Sequence, residues 1–226
     1  MKKLNELINH VLKDANYLNN PYFIALKNKE MSKEEFIKTQ KHFYYAVEFF
    51  SRPMSAVAAK IPDPELRIEI IRNVWEEHGD GNVSHLHGAT FRELLHRLQP
   101  GTALNLENEA LSPDVRLFNT ALTGVSVMDE FTVSVACFGI IERMFVDISA
   151  FIGEAILDNQ WLESEQLIHY SLHKELDIKH SQDFFDVLEH YFSENSYQIT
   201  QGLMMGATMF YNLYLGLYTN RNKLYK

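Results

Sequence analysis

The stretch "LHKELDIKH", residues 172 to 180, carries two imidazoles and a carboxylate at His173, Asp177 and His180. In a helix, at about 100° per residue, these side chains fall within roughly 60° of one another and meet at one point. Imidazole nitrogen and carboxylate oxygen in the order His-x3-Asp-x2-His are ligands for first-row transition metals, and helix-borne ligands of these types build two-iron centres inside bundles. A single histidine on such a face is more often a hydrogen-bonded core or surface residue. The three together favour a metal. His169 and Phe184 continue the same face.

Two further segments supply partners. In "SVACFGIIERMFVDISAFIG", Glu142 has Val135, Phe138, Phe145 and Val146 one or two turns away. A carboxylate so surrounded needs a buried cation or a raised pKa, whereas Asp147 and Glu154 project elsewhere and read as surface charge. In "VWEEHGDGNVSHLHGATFRELLHRL", Glu77 follows Ile70 and Val74 on the inward face, and Glu76 shares a face with Arg72 and Asn73 and is expected in solvent. His87 aligns with Phe91, Leu94, Leu95 and Leu98 and points inward, while His85 lies off that stripe and His78 suits a helix end. The candidate ligands are therefore Glu77, His87, Glu142, His173, Asp177 and His180. Three carboxylates against two divalent cations leave a small net positive charge and open coordination positions for dioxygen and substrate. Zinc hydrolases use fewer ligands around one metal, so two irons are the better reading.

The elements that must position these residues are helices. Ser32 with Glu35 three residues on has the capping-box spacing, and Asp63, Pro64 and Gly79 punctuate a helix start and stop. Ser112, Pro113 and Gly124 repeat that grammar. Longer periodic segments are predicted at roughly 127–157, 161–192 and 197–219, with "GDGN", "LQPG" and "FSEN" as breaks. With no internal repeat and no Asn-Gly hairpin signal, the reading is an all-α, single-domain bundle of seven or eight helices spanning residues 1–226.

Composition bounds the partners. The 226 residues, 46% of them hydrophobic and 12% aromatic, supply one sizeable core. A formal charge of −9 repels nucleic acid and anionic membranes alike, leaving small-molecule or protein partners. Cys137 is the single cysteine, so no internal disulfide forms and a reducing cytoplasm fits. The apolar run "VACFGII" is too short to cross a bilayer, and the first residues lack a continuous apolar segment.

The six positions, in order, resemble the haem-oxygenase-like di-iron oxidases, relatives of the TenA/thiaminase II and PqqC proteins. The pattern is Glu-x9-His across a glycine-rich turn (Glu77, His87), a lone Glu on a long helix (Glu142), then His173, Asp177 and His180. The resemblance implies a haem-oxygenase-like helical fold and a centre of two irons without haem, with an iron–manganese pair as the alternative occupancy. It also implies dioxygen and a small organic molecule as co-substrates, and a homodimer. A chlamydial member of the group carries a lysine ten residues after the lone glutamate, where this chain has Ile152, and its sacrificial tyrosine aligns approximately with Phe23, beside Tyr22. That member's self-sacrificing chemistry is therefore not expected here.

Two other classes compete. A thiaminase-like enzyme would use Cys137 as nucleophile, although that residue reads as a small buried apolar group. An interaction protein with a vestigial site would have lost a ligand. Tyr44, Phe50, Met205 and Tyr211 are candidates for lining a substrate tunnel, with plain core the commoner role for such aromatics. Glu48 reads as the partner of Arg52 at i+4.

Overall fold

The computed structural model describes residues 2–106 and 111–221, apart from the side chains of residue 168 and residues 171–176. Among the described residues there are eight α-helices and no strand. They are α1 (Lys2–Ala15), α2 (Pro21–Lys27), α3 (Lys33–Lys60), α4 (Pro64–Glu77), α5 (His87–Leu98), α6 (Pro113–Met128), α7 (Phe131–Asp158) and α8 (Ile168–Asn220).

The punctuation read from the sequence starts three of them. Ser32 Oγ accepts from the Glu35 amide at 3.1 Å while the Glu35 carboxylate accepts from the Ser32 amide at 3.0 Å, closing the capping box of α3. Asp63 accepts from the Glu65 and Leu66 amides ahead of α4, and Ser112 accepts from the Asp114 amide ahead of α6. Two expected stops are not stops. Helix α6 runs through Gly124 to Met128, because nothing crowds Gly124 and no proline follows it. The segments expected at 161–192 and 197–219 are one helix, α8, which begins at residue 168 and leaves helical geometry only at Asn195 (φ −123°, ψ 23°). "FSEN" contains neither glycine nor proline, so it kinks the helix and the hydrogen-bond ladder resumes.

Helices α7 and α8 pack against each other more extensively than any other pair. Two glycines of α8 permit the close approach. A Cβ on Gly202 would stand 2.3 Å from the Val133 carbonyl oxygen, and one on Gly206 would stand 2.4 Å from that of Cys137. Helix α3 lies against α4, α5 and α6, and the core runs between these layers. After α4 the chain reverses through short 3-10 turns at Gly79–Gly81 and Val83–His85, so the last residue of α4, Glu77, and the first of α5, His87, come together.

A methyl group at either α7–α8 glycine must push the two backbones apart. Gly206→Ala is expected to lower unfolding stability by about 1–3 kcal/mol in urea, whereas Gly124→Ala raises it by up to about 1 kcal/mol through helix propensity. Equal changes at the two sites would show that close approach does not set the α7–α8 spacing.

Candidate metal centre

Four helices bring the acidic and imidazole groups to one place. Glu77 ends α4, His87 opens α5, Glu142 lies midway along α7, and Asp177 and His180 lie in the first third of α8. All five are buried. One ligand atom each from Glu77, Glu142 and His180 lies within 4.8 Å of the other two, a grouping that could hold a metal ion. His87 Nδ1 is 2.7 Å from Glu77 Oε2, and His180 Nδ1 is 3.8 Å from Glu77 Oε1. The side chain of His173 lies outside the described residues; its backbone belongs to α8.

Electrostatics oppose this arrangement unless a cation joins it. The Glu142 carboxyl is pushed well above the usual carboxylate range, first by burial, then by the charges of Asp177 and Glu77. Its Oε1 has no hydrogen-bond partner among the described residues, and neither does His180 Nδ1. Buried polar atoms left open on facing side chains are what a bound ion satisfies. Carboxylate oxygen with imidazole nitrogen is a donor set suited to iron.

Glu76, expected in solvent, is part of the assembly. It is only 22% exposed, and its Oε2 lies 2.8 Å from His180 Nε2. Burial raises its pKa, but hydrogen bonds from His180 and Lys179 outweigh that and leave the carboxyl below its ordinary value. An ionised carboxylate only accepts, so the proton of this contact sits on Nε2 and Nδ1 is turned towards Glu77 and Glu142. This is the carboxylate–histidine support common around metal ligands. Face assignment on α4 alone missed it because α8 covers part of that face.

A model of the family described as iron-containing redox enzyme matches residues 38–215, a span that includes all six candidates. The chain belongs to this family.

Solved structures similar to this family member show its fold. A domain with a haem-oxygenase-like fold from Shewanella denitrificans OS217 matches with a TM-score of 0.75 at 12% identity, over 97% of this chain and 90% of that one. A CADD-like protein of unknown function from Nostoc punctiforme PCC 73102 gives 0.78 at 14% identity, over 97% and 99%. A TenA homologue from Pseudomonas syringae pv. tomato str. DC3000 gives 0.76 at 14% identity, over 95% and 92%. No match is found among curated proteins. The fold is the haem-oxygenase-like one expected from the sequence.

In this member of the iron-containing redox family, a cavity of about 50 Å³ lies against Glu77, His87 and Glu142. Its remaining wall is apolar and comes from α3, α6, α7 and α8. Of the four residues considered for a tunnel, Phe50 lines it. Tyr211 instead borders a separate hollow beside Ala15. Tyr44 donates to Glu48, which is therefore held by a tyrosine as well as standing one turn from Arg52, and the Arg52 guanidinium lies over Phe49. His85 is exposed, and His78 caps α4 with Nδ1 2.7 Å from the Val74 carbonyl, as their positions in the sequence imply. His169 is buried and its Nδ1 lies 2.9 Å from Thr90 Oγ1. Asp147 accepts from Tyr17 and pairs with Arg143, so it is a helix-packing group rather than free surface charge.

Two predictions follow from the charges. A carboxyl whose folded-state pKa lies above its unfolded value binds more protons in the folded state, so stability falls as pH rises from the ordinary carboxylate range towards the raised value. In chelator, Glu142→Gln should therefore be more stable than wild type at neutral pH, with the gain vanishing in acid. Urea unfolding across pH reads this, and a pH-independent difference would contradict the assignment. Glu76→Ala should weaken ferrous binding about 10–100-fold without altering helical content; unchanged affinity by titration calorimetry would remove Glu76 from the assembly.

Proposed function

We propose that this chain is a non-haem di-iron oxidase or oxygenase that uses dioxygen to oxidise a small organic substrate, with residues 1–226 acting as one domain around the cavity. The observation that carries the reading is the convergence of buried Glu77, Glu142 and His180, with Glu142 Oε1 and His180 Nδ1 unsatisfied by the described protein atoms. Membership of the iron-containing redox family supports it.

In this reading Glu77, Glu142 and Asp177 would hold the metal through carboxylate oxygens, and His87, His173 and His180 would each supply one nitrogen. Two irons, or an iron–manganese pair, supply the redox chemistry and the binding site for dioxygen when bound. The chain's own residues do the rest. Glu76 fixes the tautomer of His180, the tight reversal between α4 and α5 sets His87 against Glu77, and the aromatic wall keeps water from the reacting atoms. Glu142 would hold metal as the carboxylate, so its raised pKa opposes loading in acid. The exposed stripe of Ile68, Ile71 and Trp75 on α4 supports assembly as a homodimer.

A thiol-based reaction of the thiaminase kind has little support. Cys137 is fully buried in α7, and burial, aided by the charge of Asp129, pushes its thiol up to about 12. A thiolate is the reactive form, and this site disfavours it.

The test is anaerobic loading with ferrous iron, metal counting, and oxygen uptake on admission of air. About two irons per chain are expected, as in other bundle centres of this ligand type. Asp177→Ala and His173→Ala should each lose one iron while keeping their circular dichroism. Full iron occupancy in both variants would overturn the ligand assignment.

A further inference from the structure

The cavity beside the centre is unusually one-sided in its chemistry. Five phenylalanine rings face it, Phe43, Phe50, Phe118, Phe145 and Phe210, with Ala46, Val47 and Ile141 filling the gaps. The polar residues on its wall are Glu77, His87 and Glu142, which the preceding reading commits to metal. No hydroxyl, amide, lysine or arginine is among the described lining residues. The rings hold one another in place. Phe210 packs on Phe43, Phe145 and Phe118 at centroid separations of 6.5, 6.0 and 5.9 Å, and Phe43 lies 5.8 Å from Phe145. Ala46 and Phe43 are buried, whereas Val47 and Phe50 are partly exposed, so the wall reaches solvent along this edge of α3.

We infer that the part of the substrate brought to the centre is an uncharged hydrocarbon portion, a saturated chain or an aryl ring, with any charged group left at the Val47–Phe50 edge. The inference rests on the di-iron reading for where the reaction occurs and for the engagement of Glu77, His87 and Glu142 by metal. With Glu77, His87 and Glu142 holding metal, a charge or an unpartnered amide entering this space would give up its hydration and find no free donor or acceptor among the described lining residues, at a cost of several kcal/mol. Hydrocarbon gains from the same transfer. The room available is several times the roughly 10–15 Å³ that one water needs, enough for the last few carbons of a chain or part of a ring. Ala46 is the specificity-determining position, since its small side chain leaves space that a larger one on the same helix face would fill.

The test uses protein supplied with excess zinc, a redox-inert divalent ion standing in for iron at the carboxylates and imidazoles of the wall, and two probes of equal length, 1-heptanol and its diether analogue 2-(2-methoxyethoxy)ethanol, in which oxygens replace two methylenes. 1-Heptanol should bind at least about tenfold more tightly, with shifts in the methyl signals of Val47 and Ile141. Ala46→Phe should abolish that binding with helical content unchanged. If that variant does not fold, the wild-type methyl shifts decide alone. Equal or tighter binding of the diether, shifts confined to methyls away from the cavity, or 1-heptanol binding that survives in folded Ala46→Phe would overturn the inference. Iron counting separates the two claims. A chain that holds two irons but prefers the diether loses this inference and keeps the di-iron reading; one that holds at most one iron yet binds 1-heptanol at these methyls does the reverse.

Discussion

The structure turns on one electrostatic constraint: Glu142 is buried in the middle of a long apolar helix, facing two other acidic groups. Transfer of an ionised carboxylate from water into such surroundings costs several kcal/mol even after relaxation, and like charges nearby add to it. Without a cation, burial and the charges of Asp177 and Glu77 push the Glu142 carboxyl well above the usual carboxylate range, favouring its neutral form. A divalent ion reverses the balance, because it rewards the same three carboxylates for being close together. On the di-iron reading, the arrangement that costs stability in the chain without metal is the one that gives affinity for metal.

Most of the bundle can be understood as holding these groups against their mutual repulsion. The glycine contacts of α8 with Val133 and Cys137 on α7 fix the two long helices in register, so Glu142 stays opposite Asp177 and His180. The tight reversal between α4 and α5 spends few residues and returns His87 to within 2.7 Å of Glu77. Glu76 anchors His180 from the outer side, with Lys179 completing the ion pair at 3.2 Å. The phenylalanine cluster then closes the inner side. Charged neighbours sit where water reaches them, and hydrocarbon sits where the reaction would occur.

Much of this was legible in the sequence because helical periodicity assigns faces. Glu142 among valine and phenylalanine, and His87 above a leucine stripe, could be placed inward from spacing alone, and both are buried. Helix starts were legible from their caps, which are local hydrogen bonds. Two kinds of feature were not. The helix ends expected at Gly124 and at "FSEN" are absent because Gly124 stands in open space with no proline after it and "FSEN" has neither glycine nor proline, so a single weak breaker does not stop the hydrogen-bond ladder. The part played by Glu76 depended on α8 lying across α4, a contact between residues about a hundred positions apart that no single-helix face assignment contains. The cavity wall is likewise a product of packing, assembled from residues on four helices whose aromatics look like ordinary core when read one helix at a time.

The central claim, that paired cations explain the buried acidic and imidazole groups, is tested most directly by anomalous diffraction at the iron edge from crystals grown anaerobically with ferrous salt. The account predicts two anomalous peaks enclosed by Glu77, His87, Glu142 and His180. Absence of any peak there, with iron found only at exposed carboxylates or with the pocket closed around protein–protein hydrogen bonds, would contradict it.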